Sequence, residues 1–189
     1  MAFKPVIDYG LDETVNLLLQ DSLTYYVGDV VAFTGGTSSL TYVTNASGSV
    51  AGNYYVFGVI QGFRDKYGNI YPSTGADPLN TPATVTTGAT NVATVKLQAV
   101  VLPIKENMIF EADLDATAGT TTYSDLPGVW FDLVSARQLD ESTAILADNS
   151  GGPLQVFSLG TVKSPETSTV TKVRVKFSKA NLIGLGSAL

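Results

Sequence analysis

The chain contains no histidine and no cysteine, and charged residues fill only 15% of its 189 positions. Without histidine, the commonest general base, the usual metal ligand and every Ser-His or Cys-His nucleophile pair are excluded. Without cysteine there is no disulfide framework and no thiolate zinc site, so burial and hydrogen bonding have to hold the fold. No apolar run is long enough for a membrane helix. The first twenty residues, with Lys4, Asp8, Asp12 and Glu13 among scattered apolar positions, do not form a signal-peptide core. Positive charge is scarce as well: 11 Lys and Arg against 17 Asp and Glu leave a net charge of −6. A phosphate-backbone binder needs a concentrated basic face to release counterions, so nucleic acid is not an expected direct partner. Gly35-Gly36 and Gly151-Gly152 lack the Lys-Ser/Thr or the glycine spacing of a phosphate loop and read as turns.

What is present is the composition of a sheet protein. Thr outnumbers Lys and Arg together, and the 18 Gly, with Asn, Asp and Ser, supply turns between segments rich in Val, Thr, Tyr and Phe. Three segments alternate with period two, which sends successive side chains to opposite faces of a strand. In Val95 to Val101 the inward set is Val95, Leu97, Ala99 and Val101; in Met108 to Asp115 it is Met108, Phe110, Ala112 and Leu114; in Thr169 to Phe177 it is Val173, Val175 and Phe177. Tyr54 to Phe63 is apolar on both faces and contains Gly58 and Gly62. It reads as a central strand that bends or lets another backbone approach closely. Asp29 to Phe33, Leu40 to Val43, Val129 to Val134 and Val156 to Thr161 are further strands. The segment Asp12 to Gln20 fits a short helix through Val15, Leu18 and Leu19, or a strand through Val15, Leu17 and Leu19.

The expected fold class is therefore all-β, an antiparallel barrel or sandwich with long loops and extended terminal arms. Its expected divisions are an N-terminal arm over 1–20, one β domain over 21–178 with two lobes joined near 72–94, and a C-terminal tail over 179–189.

Glu111, Asp113 and Asp115 are the strongest catalytic candidates, since residues two apart on one strand face project roughly 6–7 Å from each other. That overlaps the separation of glycosidase acid and base carboxylates. A wet strand face also has to carry something polar, and that plainer reading is preferred. Asp113, Asp115 and the carbonyls of 117–120 form a weak calcium candidate, because their spacing matches no helix-loop-helix site. Lys172, Arg174, Lys176 and Lys179 hold four of the 11 positive charges. The row is a candidate contact for an acidic partner surface, or a guard against edge-to-edge sheet pairing. Tyr25, Tyr26, Tyr42, Tyr54, Tyr55, Tyr67 and Tyr71 crowd the first half, as sheet residues or as platforms for sugars or proteins. Asn45-Ala46-Ser47 matches a glycosylation acceptor.

The order Tyr26-Val27-Gly28-Asp29-Val30-Val31, then Tyr55-Val56-Phe57-Gly58-Val59-Ile60-Gln61-Gly62 and Asp65-Lys66-Tyr67-Gly68-Asn69, resembles small structural proteins of tailed bacteriophages. The likeness continues through Ala99-Val100-Val101 before Pro103, Met108-Ile109-Phe110-Glu111-Ala112-Asp113 and Leu139-Asp140-Glu141-Ser142-Thr143. It covers residues 25–177 and rests on glycines and apolar alternation, without a chemical signature. The family implied is that of capsid decoration, or cement, proteins: non-enzymatic β subunits without a cofactor that bind the major capsid protein on the virion surface, here as a homo-oligomer. The resemblance carries over no catalytic residue. Candidate capsid contacts are the basic row, Lys172, Arg174, Lys176 and Lys179, with the N-terminal arm and the stretch Pro72 to Asn91. Alternatives are a carbohydrate-binding or host-adhesion module, a head-tail or tail-tube protein, and a glycoside-processing enzyme.

Overall fold

The computed structural model describes residues 4–7, 14–34, 42–46, 56–71, 83–105, 108–115, 128, 130–145, 154–159 and 172–177. Thirteen strands run through them: β1 (Lys4–Ile7), β2 (Val15–Leu19), β3 (Thr24–Tyr26), β4 (Val30–Thr34), β5 (Tyr42–Asn45), β6 (Val56–Arg64), β7 (Thr84–Thr86), β8 (Gln98–Pro103), β9 (Ile109–Leu114), β10 (Trp130–Ser135), β11 (Gln138–Ile145), β12 (Leu154–Leu159) and β13 (Lys172–Phe177). The chain is all-β, as its alternation and turn residues require. No helix among the described residues is long and apolar enough to cross a membrane.

Strands β2, β5, β4, β6 and β8 pair in that order as a closed ring. A second sheet has the order β1-β9-β11-β10-β12-β13, with β13 also paired to β9, and β3 with β7 forms a two-stranded ribbon. The pairing is mixed rather than purely antiparallel: β2 with β5 and β11 with β9 run parallel. The segment Asp12 to Gln20, open between helix and strand in the sequence, is strand. Val15, Leu17 and Leu19 pack on the ring's interior, and β2 lies antiparallel to β8. These residues fall in the stretch expected as an arm.

Period-two alternation lets single strands serve two cores. Val31 of β4, Ile60 and Phe63 of β6, and Ala99 and Val101 of β8 join Leu19, Tyr25, Val43, Val85 and Leu97 inside the ring. Val30 and Ala32 of β4, Val56 and Val59 of β6, and Leu102 of β8 face the other way. They merge with Phe110, Ala112, Phe131, Leu133, Leu139, Val173, Val175 and Phe177 of the second sheet. β6 thus contributes to both clusters, which explains why Tyr54 to Phe63 is apolar on both faces. The inward sets expected of Met108 to Asp115 and Thr169 to Phe177 are buried as the alternation required.

The two glycines of β6 differ. A Cβ on Gly58 would lie 2.5 Å from the Leu102 carbonyl oxygen and against the Val101 side chain, whereas nothing lies within 4 Å of one on Gly62. Close backbone approach applies to the first only; Gly62 sits where the β6–β8 register shifts. Gly28, at φ +90°, occupies the third position of a turn closed by the Asp29 N–H on the Tyr26 carbonyl (3.1 Å), which a Cβ-bearing residue adopts reluctantly.

One expected strand begins later than its alternation implied. Leu97, Ala99 and Val101 are buried, but Val95 is 46% exposed. Asn91–Val95 forms a single π turn, followed by Lys96 in the left-handed region. The cause is the buried Asn91 side chain, whose Nδ2 donates to the carbonyls of Leu19 (2.7 Å) and Leu97 (3.3 Å) while Oδ1 accepts the Leu97 N–H (2.8 Å). Those bonds set where the strand can start, and the chain before it winds up instead.

Candidate functional site

Three places hold the charged and aromatic residues singled out by the sequence. The first is a strip on neighbouring strands. β13 lies antiparallel to β9 with Lys172 opposite Asp113 and Arg174 opposite Glu111, so the basic and acidic rows, about 60 residues apart in the chain, become cross-strand neighbours. Lys172 Nζ sits 3.8 Å from Glu111 Oε1 and 3.6 Å from Asp113 Oδ1, and all three side chains are largely shielded from water. Arg174 Nε is buried without a hydrogen-bond partner among the described residues, and Lys176 lies two positions on. Lys179 and the 117–120 carbonyls of the calcium candidate lie outside the described residues. Among the described residues, no group of three or more acidic side chains is placed to hold a metal.

Chemically, this strip is a cross-strand ion cluster centred on Lys172. An ammonium held between two carboxylates attracts both and halves their net charge, and cross-strand opposite charges stabilise a strand pair by a few tenths to about 1 kcal/mol. Neither row, read alone, signalled that the other was its partner, because the register that joins them is a property of the sheet.

The second place is a joint between the ring and the second sheet, which the sequence did not reveal. Asp29 is 1% exposed at the start of β4, and its Oδ2 accepts the Tyr26 N–H at 2.9 Å. Arg137, in the turn between β10 and β11, places Nε 3.1 Å from Asp29 Oδ1. That contact is an ion pair without hydrogen-bond alignment. The same guanidinium lies 3.5 Å over the Tyr26 ring, and the Val30 N–H donates to the Ala136 carbonyl (2.8 Å). Burial pushes the Asp29 carboxyl up to about 6, against the opposing pull of the Tyr26 N–H and of Arg137. An Asp directly after a turn glycine was the only available signal.

The third place is the hairpin tip that follows β6. Tyr67 is 77% exposed, Ile70 82% and Tyr71 37%. Their backbone is nonetheless tightly braced. Asp65 Oδ1 accepts the N–H groups of Tyr67 (2.8 Å) and Asn69 (2.9 Å), and Oδ2 accepts Asn69 Nδ2 (3.0 Å). The Asp65 N–H donates to the Asn69 carbonyl, the Gly68 N–H to the Asp65 carbonyl and the Tyr71 N–H to the Phe63 carbonyl. Arg64 donates to the Gly68 carbonyl, and Lys66 Nζ stands 5.0 Å from the centre of the Tyr67 ring. Hydrogen bonds to its ionised form hold the Asp65 carboxyl below the usual carboxylate range.

The tyrosine cluster thus divides by role. Tyr25 is fully buried and donates its hydroxyl to the Val43 carbonyl (3.1 Å); Tyr26 packs under Arg137; Tyr67 and Tyr71 face solvent. Tyr54 and Tyr55 lie outside the described residues, as does the side chain of Tyr42. Asn45, of the glycosylation triplet, donates its amide to the Thr24 carbonyl at 3.0 Å, and the following Ala46 is buried. Comparison with protein families, curated proteins and solved structures finds no match.

Proposed function

We propose that this chain is a non-enzymatic structural subunit that decorates the outer face of a tailed-phage capsid, binding the major capsid protein as a homo-oligomer and stiffening the shell. The observation that carries the reading is the position of Lys172 between Glu111 and Asp113. Glu111 and Asp113, two of the three catalytic candidates of the sequence, are members of a cross-strand ion cluster, which supports a structural role for that strip. The residues that carry the phage resemblance fall on the framework: the turn before β4, the strands β6, β8, β9 and β11, and the tip after β6. Among the described residues the ring β2-β5-β4-β6-β8 has no free strand edge, and a body of that kind can add buried interface to a lattice without offering that edge for pairing.

Adhesion to many sites on an assembled shell opposes its opening, because only the assembled lattice presents the composite site. The test is uptake: shells of the encoding phage, stripped of this chain, should bind the purified protein saturably and gain heat resistance. Shells that neither bind it nor gain resistance would refute the reading. A carbohydrate-binding module, using the exposed Tyr71 ring, is the second reading, and a glycan array separates the two.

A further inference from the structure

The two most exposed large apolar side chains among the described residues, Tyr67 and Ile70, lie on one hydrogen-bonded hairpin tip. We propose that the tip Arg64 to Tyr71 is a preformed docking knob, which presents its two most exposed apolar side chains, Ile70 and Tyr67, to an apolar pocket with a carboxylate rim on another protein. The proposal rests on the adhesion reading for the identity of that protein, a shell subunit.

Exposure makes the surface available, and internal bracing makes it efficient. A loop ordered before contact loses little conformational entropy on binding, and Asp65 alone fixes three donors of this one. Tyr residues beside an aliphatic anchor have the composition of an interface hot spot.

The class of partner follows from three features. Ile70 is the most exposed of these side chains and has no ring face on which a sugar could stack, whereas a protein pocket accepts it directly. Lys66 already stands over the Tyr67 ring, which makes that ring a poor sugar platform. A bilayer is disfavoured because Asp65, ionised and one turn away, would be drawn toward hydrocarbon with Ile70. A protein pocket instead leaves the rim of the tip wet.

Charge gives the rim its sign. Arg64 and Lys66 against Asp65 make the tip positive by one, while the whole chain carries −6, so the remainder carries −7. An acidic partner surface is therefore repelled by the body and attracted by the tip, which orients the encounter.

The experiment titrates the labelled full chain onto stripped shells of the encoding phage, comparing wild type with Ile70→Ser, Tyr67→Ser and Lys66→Glu. Backbone bonds and Asp65 hold the tip, so melting temperatures should stay within about 2 °C of wild type, which verifies folding. Ile70→Ser and Tyr67→Ser should each weaken binding by about 30-fold, the size of a hot-spot loss. Lys66→Glu should weaken it several-fold at low salt, with the difference fading at high salt. Wild-type binding with both serine variants within about twofold would overturn the knob and leave the decoration reading standing. No wild-type binding would overturn both. Two other outcomes would reassign the tip and overturn its commitment to a shell protein. One is binding to phosphatidylcholine–phosphatidylglycerol vesicles or to glycans that Ile70→Ser abolishes; the other is a self-association that the same change abolishes.

Discussion

Replacing Gly58 and Gly62 by Ala, one at a time, perturbs two glycines four residues apart on the same strand, yet the structure assigns them opposite outcomes. At Gly58 the added methyl meets the Leu102 carbonyl oxygen at 2.5 Å and the Val101 side chain as well. Ordinary contacts of this kind lie near 3.5 Å, so about 1 Å has to open between β6 and β8. The obstruction is partly backbone, and β8 is held on its other side by β2, so the strands cannot part freely. Overpacking of this type costs about 1–3 kcal/mol, and the stiffer unfolded chain offsets about 0.4–1 kcal/mol of it. A rigid obstacle places Gly58→Ala toward the upper end, a net loss of about 2 kcal/mol. At Gly62 nothing lies within 4 Å and φ is not positive, so only the unfolded-state effect remains and Ala should gain about 0.5 kcal/mol. In urea, with a slope of about 2 kcal/mol per molar, the midpoint of Gly58→Ala should fall by about 1 M while that of Gly62→Ala holds or rises slightly. Equal midpoints for the two variants, or a larger loss at Gly62, would refute the packing of β6 against β8 described above.

Three further outcomes follow from the sites. The Asp29 carboxyl is raised from its ordinary 3.8 to about 6 on folding, so the folded state binds its proton more tightly; its contribution to stability is greatest below about pH 4 and falls by roughly 3 kcal/mol as pH rises through 6. Asp29→Asn should remove that dependence, seen as a wild-type-minus-variant difference in unfolding free energy that changes between about pH 3.5 and 7; parallel curves would contradict it. Lys172→Glu places a third negative charge beside Glu111 and Asp113 and should destabilise by about 1–2 kcal/mol, less in about 1 M salt, with partial recovery on adding Glu111→Lys; thermal melts at two salt concentrations check this. Asn91→Ala strands the buried Leu97 N–H and takes a donor from the Leu19 carbonyl, while the Leu97 carbonyl keeps the Leu19 N–H (3.1 Å); it should cost about 2–3 kcal/mol by denaturant unfolding, whereas Val95→Ala, at an exposed site, should change stability by less than about 0.5 kcal/mol.

The charge-swap result bears on how the basic row is tested for docking. Reversal at Lys172 disturbs the sheet as well as any external contact, so a loss of binding in that variant does not by itself place the partner there. The tip variants avoid the difficulty, because Tyr67 and Ile70 face solvent.

Strand identity and inward faces were legible because alternation is local. Phe110, Ala112, Val173, Val175 and Phe177 are buried where a period of two put them. The turn at Lys66 to Asn69 was legible for the same reason, since Asp, Gly and Asn act on their own backbone. Val95 was misread because a distant carbonyl, that of Leu19, competes through Asn91 for the backbone that alternation assigned to a strand. β11 escaped notice because Asp140, Glu141 and Ser142 dilute its apolar pattern, although Leu139 is fully buried.

From the order of residues alone came the class of fold, the dry face of each clear strand, and the absence of histidine and thiol chemistry, because each depends on composition or on neighbours within a few positions. Register and layer order came from the assembled sheets: they set Lys172 against Glu111 and Asp113, joined Asp29 to Arg137, and gave Gly58 a backbone neighbour that Gly62 lacks. Those pairings join segments distant along the chain, and their energies exist only once the strands have chosen partners.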